Sequence, residues 1–149
     1  MLFRSLGDTV RHFGQRAPQW QSMIEPLREH MVNRAVMRKT AQGLDTNYYG
    51  SAWFRIEEDE ALLIELDKPE ALLWSVQLGN VWWESLDYIN RSSSYNDHQA
   101  VASSDGIYRF VLSHQDPGVP NWLDPVGHRE GALLFRIQGA AAAVQPRIR

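Results

Sequence analysis

The stretch Leu72-Leu73-Trp74-Ser75-Val76-Gln77-Leu78 decides the fold class. Extended, it places Leu72, Trp74, Val76 and Leu78 on one side and Leu73, Ser75 and Gln77 on the other, the two-residue period of a strand with one buried face. The same reading extends in both directions. Upstream, residues 48–56 are aromatic and β-prone, 57–60 form a polar turn, 62–66 are a short apolar run and 68–70 turn again. Downstream, Gly79-Asn80 bends the chain into an irregular strand over 81–88, Asp105-Gly106 predicts a hairpin turn before a strand at 107–112, and 133–137 form the last strand.

Before residue 47 the period differs. Ser5 with Asp8 resembles a capping box. Leu6, Val10 and Phe13 then share one helix face before Gly14 and Pro18 close the segment. Trp20, Met23, Ile24, Leu27, Met31 and Ala35 keep helical spacing in a second segment that Pro26 interrupts and Gly43 stops. The basic run at 34–39 reads as the solvated face of this second helix. Helices that precede the strands, instead of alternating with them, give an α+β fold. The expected organisation is a helical N-terminal segment of two helices over 1–46, an antiparallel jelly-roll-like β-sandwich over 47–138, and a flexible tail over 139–149.

The bulk numbers exclude several classes. The 15 basic and 18 acidic residues give a net charge of −3 without a basic stripe, which argues against a nucleic-acid partner. No apolar run reaches the length of a membrane span, and the N-terminus lacks a secretory apolar region, so no membrane partner is expected. The absence of cysteine excludes disulfides and thiolate chemistry and fits a cytoplasmic location. Six tryptophans in 149 residues suit a packed core, a ligand cleft or a homodimer face.

The residues Trp74-Ser75-Val76-Gln77-Leu78, Asn80 with Trp82-Trp83, the Gly106-Ile107-Tyr108-Arg109-Phe110-Val111 turn and strand, and Pro120-Asn121-Trp122-Leu123-Asp124 with Gly127 and Glu130-Gly131 resemble the domain of unknown function 1214 family. The resemblance spans about 74–136, and implies an antiparallel sandwich of jelly-roll type. In that family the domain often follows another uncharacterised domain. The resemblance implies no established chemistry.

Long polar loops that carry an aromatic residue are more often sites than plain connectors. The loop at 113–131 holds His114, Asp116, Asn121, Trp122 and His128 among three prolines and three glycines. His114 and Asp116 flank Gln115, so an extended segment points both the same way, the arrangement of a general acid–base pair. Asn121 and Trp122, with Trp83, Tyr88 and His98, supply amides and rings suited to a polar ring ligand. A structural alternative has Trp122 plugging the sandwich end and Asn121 bonding the loop backbone. His98, His114 and His128 lack the spacing of a metal motif, and no metal or cofactor is expected.

The leading functional expectation is a small-molecule-binding or accessory sandwich domain, its cleft lined by Trp83, Tyr88, His98, His114, Asn121 and Trp122. Two alternatives stay open. One is an acid–base enzyme (lyase, isomerase or hydrolase) using His114 and Asp116, with or without a metal. The other is a homodimeric structural or interaction module. The sequence leaves open whether the protein is an enzyme.

Overall fold

The computed structural model describes residues 5–39 and 44–149. Among the described residues the fold is α+β: one helix, α1 (Leu6–His30), followed by nine strands in two sheets. The strands are β1 (Val36–Lys39), β2 (Tyr48–Arg55), β3 (Ala61–Leu66), β4 (Leu73–Gly79), β5 (Ser94–Asn96), β6 (Tyr108–Ser113), β7 (Trp122–Leu123), β8 (Glu130–Gln138) and β9 (Arg147–Ile148). The larger sheet runs β1-β2-β8-β4-β5 and the smaller β7-β6-β3-β9.

The alternation holds within β4, but Leu72, expected on the buried face, precedes the strand and is 85% exposed. Trp74, Val76 and Leu78 face the other sheet and are buried. They meet Phe54 and Ile56, Ile64 and Leu66, Phe110 and Leu112, and Leu133, Phe135 and Ile137. Trp74 packs edge-on against Tyr108 and Phe110. Gly50 faces inward where any Cβ would collide with the Met37 sulfur and crowd the Phe135 side chain. The hairpin signal at Asp105-Gly106 is a tight turn, with Ser103 donating to the Ile107 carbonyl and Gly106 at φ 81°.

Four expectations are corrected. Among its described residues the N-terminal segment holds one helix, not two. Ser5 caps it by accepting from the Asp8 amide at 3.2 Å, and the helix continues through Pro18 and Pro26. Both prolines lie on the exposed side, so the carbonyls they leave without a partner face water. The Gly43 helix stop lies outside the described residues.

Residues 36–39 are not helix but an edge strand paired with β2. Asn33, at φ 51°, turns the chain after α1, and its amide both accepts from and donates to the Arg55 backbone. The sandwich therefore begins before residue 47. It also extends beyond 138, since β9 pairs with β3 and Arg147 makes a two-pronged ion pair with Asp67. The segment 139–149 is thus tied to the sheet. Finally, the sheets are not wholly antiparallel: β7 runs parallel to β6.

The C-terminal half of α1 crosses the outer face of the larger sheet. Trp20, Ile24 and Leu27 pack on Trp53 and Ala132, and Trp53 is fully buried. Glu130 locks this contact. Its carboxylate accepts from the Trp53 indole at 2.9 Å, from Arg55 at 3.2 Å and from Arg28 of the helix. Burial pushes the Glu130 carboxyl up, but these three donors outweigh it and hold the group below the usual carboxylate range.

Candidate functional site

The residues expected to share one cleft do not meet. In the parallel β6–β7 pair, Val111 lies beside Trp122 and Leu112 beside Leu123. Leu112 and Leu123 both point into the core, so Trp122 faces outward from the smaller sheet. Trp83 lies over the outer face of the larger sheet. The two indoles are on opposite sides of the sandwich, and the common hollow is excluded.

Asn121 and Trp122 are committed to the backbone. Asn121 is buried at φ 59°, and its Oδ1 accepts from the Val101 amide at 2.8 Å. Its Nδ2 donates to the Val101 and Arg109 carbonyls at 2.8 and 2.9 Å. Asn121 thereby stands in for a strand partner, using both amide hydrogens and one oxygen lone pair. The Trp122 indole donates to the Ser113 carbonyl at 2.9 Å, and the Tyr95 hydroxyl donates to the Trp122 carbonyl.

His114 and Asp116 do not pair. Asp116 accepts from the Gly118 amide at 2.8 Å and so closes its own turn. The His114 Nε2 is buried without a hydrogen-bond partner. Two residues of bend separate their directions where an extended strand would have aligned them. The His98 side chain is 86% exposed beside Asp97, and Tyr88 is exposed on the 86–93 loop. Among the described residues, no group of three or more His, Asp or Glu side chains lies together as metal ligands would. The 86–93 loop is pinned by an ion pair at 2.6 Å between half-exposed Arg91 and buried Asp124.

Of the expected set, Trp83 lines a substantial groove. This groove, about 420 Å³ in volume, lies on the part of the larger sheet that α1 leaves bare. Register dictates its floor. Across the outer face, Arg38, Tyr49, Arg136, Ser75 and Asn96 form one cross-strand row. Val36, Ser51, Leu134, Gln77 and Ser94 form the next. The third row, Trp53, Ala132 and Gly79, lies toward the helix. Directly opposite residues on neighbouring strands bring their side chains within about 5 Å of each other.

Within the groove, the Arg136 guanidinium lies 5.3 Å from the Tyr49 ring centroid and donates to the Tyr49 hydroxyl at 3.2 Å. Gln77 donates to the Ser85 hydroxyl at 2.6 Å, which keeps the Gln77 side chain on the groove wall. Arg38 and Arg136 both line the groove, and no Asp or Glu does. Neither guanidinium makes an ion pair among the described residues.

Trp83 is held by a compact loop. The Asn80 Oδ1 accepts from the Trp82 and Glu84 amides, and the Asn80 Nδ2 donates to the Glu84 carboxylate. This wrapping puts Trp83 at φ 61°, a left-handed conformation that bulky side chains rarely adopt. Its ring meets Trp20 of α1 edge-on. Adjacent Trp82 lines a separate cleft against the helix with Trp20 and Ile24.

The sequence reading missed Arg38, Tyr49, Ser75, Gln77 and Arg136. The usable signal is the polar half of the alternating strand, Ser75 and Gln77 in β4.

No protein-family model matches this chain. No curated protein matches it either. Among solved structures, an uncharacterised protein from Burkholderia cenocepacia is 34% identical, with a TM-score of 0.80. The alignment covers 87% of this chain and 38% of that one. A protein from Vibrio parahaemolyticus is 18% identical over 72% of this chain and 32% of its own, with a TM-score of 0.56, a likeness of fold. The chain thus spans well under half the length of either. These likenesses carry no function.

Proposed function

We propose that this is a small-molecule-binding or accessory β-sandwich domain whose site is the outer groove beside Trp83. The carrying observation is Trp83 itself, strained at φ 61° and presented over a concavity of mixed polar and apolar lining. Strain of this kind costs of the order of 1–3 kcal/mol and persists where surrounding structure enforces it, often at ligand sites. The test is a melting-temperature and tryptophan-quenching screen with small sugars and polar aromatic compounds, repeated on Trp83→Gly. A hit lost in the variant supports the reading. A screen in which no compound shifts either signal sinks it.

The jelly-roll-like description belongs to the same proposal, supported by the alternation of β2, β3 and β4 between sheets and the insertion of β8 between β2 and β4. So does the resemblance to the domain of unknown function 1214 family, and so does a cytoplasmic location, which rests on the cysteine-free composition. The acid–base alternative draws no support from geometry, because no hydrogen bond joins His114 to Asp116.

A homodimer is the second reading, favoured by one observation. Leu6, Val10 and Phe13 share a face of α1 yet are 80%, 63% and 69% exposed. A second copy crossing this face antiparallel about a two-fold axis sets Leu6 against Phe13 and Asp8 against Arg11. Light scattering of the protein and of Phe13→Glu tests it. A wild-type monomer contradicts it.

A further inference from the structure

Resting on the groove reading above, we infer that the groove takes a flat-ringed small molecule bearing a carboxylate. The charge of its lining is the first reason. The chain is net negative, yet this concavity gathers two arginines and no acid. Arginines on a protein surface usually find carboxylates, and here most do: Arg28, Arg55, Arg91, Arg109, Arg129 and Arg147 all make ion pairs. Among the described residues Arg38 and Arg136 make none, although they stand in the same row of the sheet and both line this groove.

Spacing is the second reason. Arg38 and Arg136 flank Tyr49 in register, so their Cα atoms stand two strand spacings, about 10 Å, apart. Tyr49 already holds Arg136 through its ring face and its hydroxyl, which fixes one guanidinium fork before any ligand arrives. A guanidinium fork matches the two oxygens of a carboxylate. Side-chain ordering is a large part of the cost of binding, and this arrangement lowers it.

The remaining donors favour carboxylate over phosphate. Phosphate sites draw on backbone N–H groups at a helix N-terminus or a nest of successive amides. Here the groove floor is sheet, so its amides are committed to the strand ladder, and only side chains are left to donate. Beyond the arginines, the Ser75 hydroxyl and the Gln77 carboxamide offer polar contacts, while Trp83 and Leu134 form a flat apolar wall. That division, cationic at Arg38–Tyr49–Arg136 and apolar at Trp83–Leu134, matches a ligand with a charged end and a planar body.

The experiment is calorimetric titration of the whole chain with 2-naphthoate, with its neutral isostere 2-naphthamide, and with 2-naphthyl phosphate. The inference predicts 2-naphthoate binding about tenfold more tightly than the amide, a difference of about 1.4 kcal/mol. Arg38→Gln and Arg136→Gln should each remove most of that preference while leaving the amide's affinity and the melting temperature nearly unchanged. Equal binding of acid and amide overturns the inference but leaves the groove reading intact. Tighter binding of the phosphate overturns the carboxylate assignment. No binding of any of the three overturns both this inference and the groove reading.

Discussion

Trp20 and Trp83 meet edge to face, their ring centroids 5.9 Å apart and their planes at 89°. One ring belongs to α1 and the other to the groove wall, so the docking of the helix and the shape of the site are a single packing problem. Edge-to-face aromatic pairs add about 0.5–1.5 kcal/mol beyond the area they bury. Trp20→Ala should therefore destabilise the protein by about 2 kcal/mol, combining this term with part of a large-to-small loss. It should also weaken any ligand of the groove. Trp83→Gly should behave differently: the left-handed backbone suits glycine, so relief of strain offsets lost packing and stability should stay within about 1 kcal/mol of wild type. Chemical denaturation of both variants checks the contrast, and equal losses would contradict it.

Asn121 carries structure, not ligand. Replacing it with alanine leaves the Val101 amide and two carbonyls without their partners and forces a Cβ-bearing residue to keep φ 59° without the side-chain bonds that hold it there. Loss of a buried polar group with three hydrogen bonds of this kind costs about 2–3 kcal/mol. Urea unfolding should show that loss, with groove binding unchanged once the fold is stabilised at low temperature. A variant as stable as wild type would contradict this assignment.

Acid should weaken the fold through carboxylates held low in the native state. Arg109 and the Ile107 amide lower Asp105 from 3.8 to about 2, and Glu130 lies below its ordinary value for the reasons given above. Depressed groups contribute stability that is complete above their unfolded pKa and disappears as pH falls through the folded value. The melting temperature should thus hold at neutral pH and drop between about pH 4 and pH 2. Glu130→Gln should lower it at neutral pH and converge on wild type at the acid end, because the lost ion pairs are lost there anyway. Parallel curves for the two proteins across that range would contradict the assignment.

Much of the sandwich was legible because β4 alternates cleanly, and because Asp105-Gly106 marks its turn by glycine's conformational freedom. Other elements depended on contacts that no local pattern contains. Val36 and Lys39 look compatible with a helix until Asn33 turns the chain and bonds the Arg55 backbone. Residues 147–148 look like an unstructured end until Arg147 finds Asp67 and Glu65. The candidate site failed for a related reason. Trp83 and Trp122 both read as aromatic anchors, but only the parallel β6–β7 pairing determines that Trp122 faces away. Arg38, Tyr49 and Arg136 are far apart in the chain, and register alone makes them neighbours.

The central claim, that ligands enter beside Trp83 and not beside Trp122, is tested most directly by the indole N–H resonances of the six tryptophans. These would be assigned by single Trp→Phe substitutions and followed during titration with 2-naphthoate. The account predicts that the Trp83 resonance moves, with Trp20 following through their contact, while Trp122 stays still. Shifts centred on Trp122, with Trp83 unmoved, would contradict it.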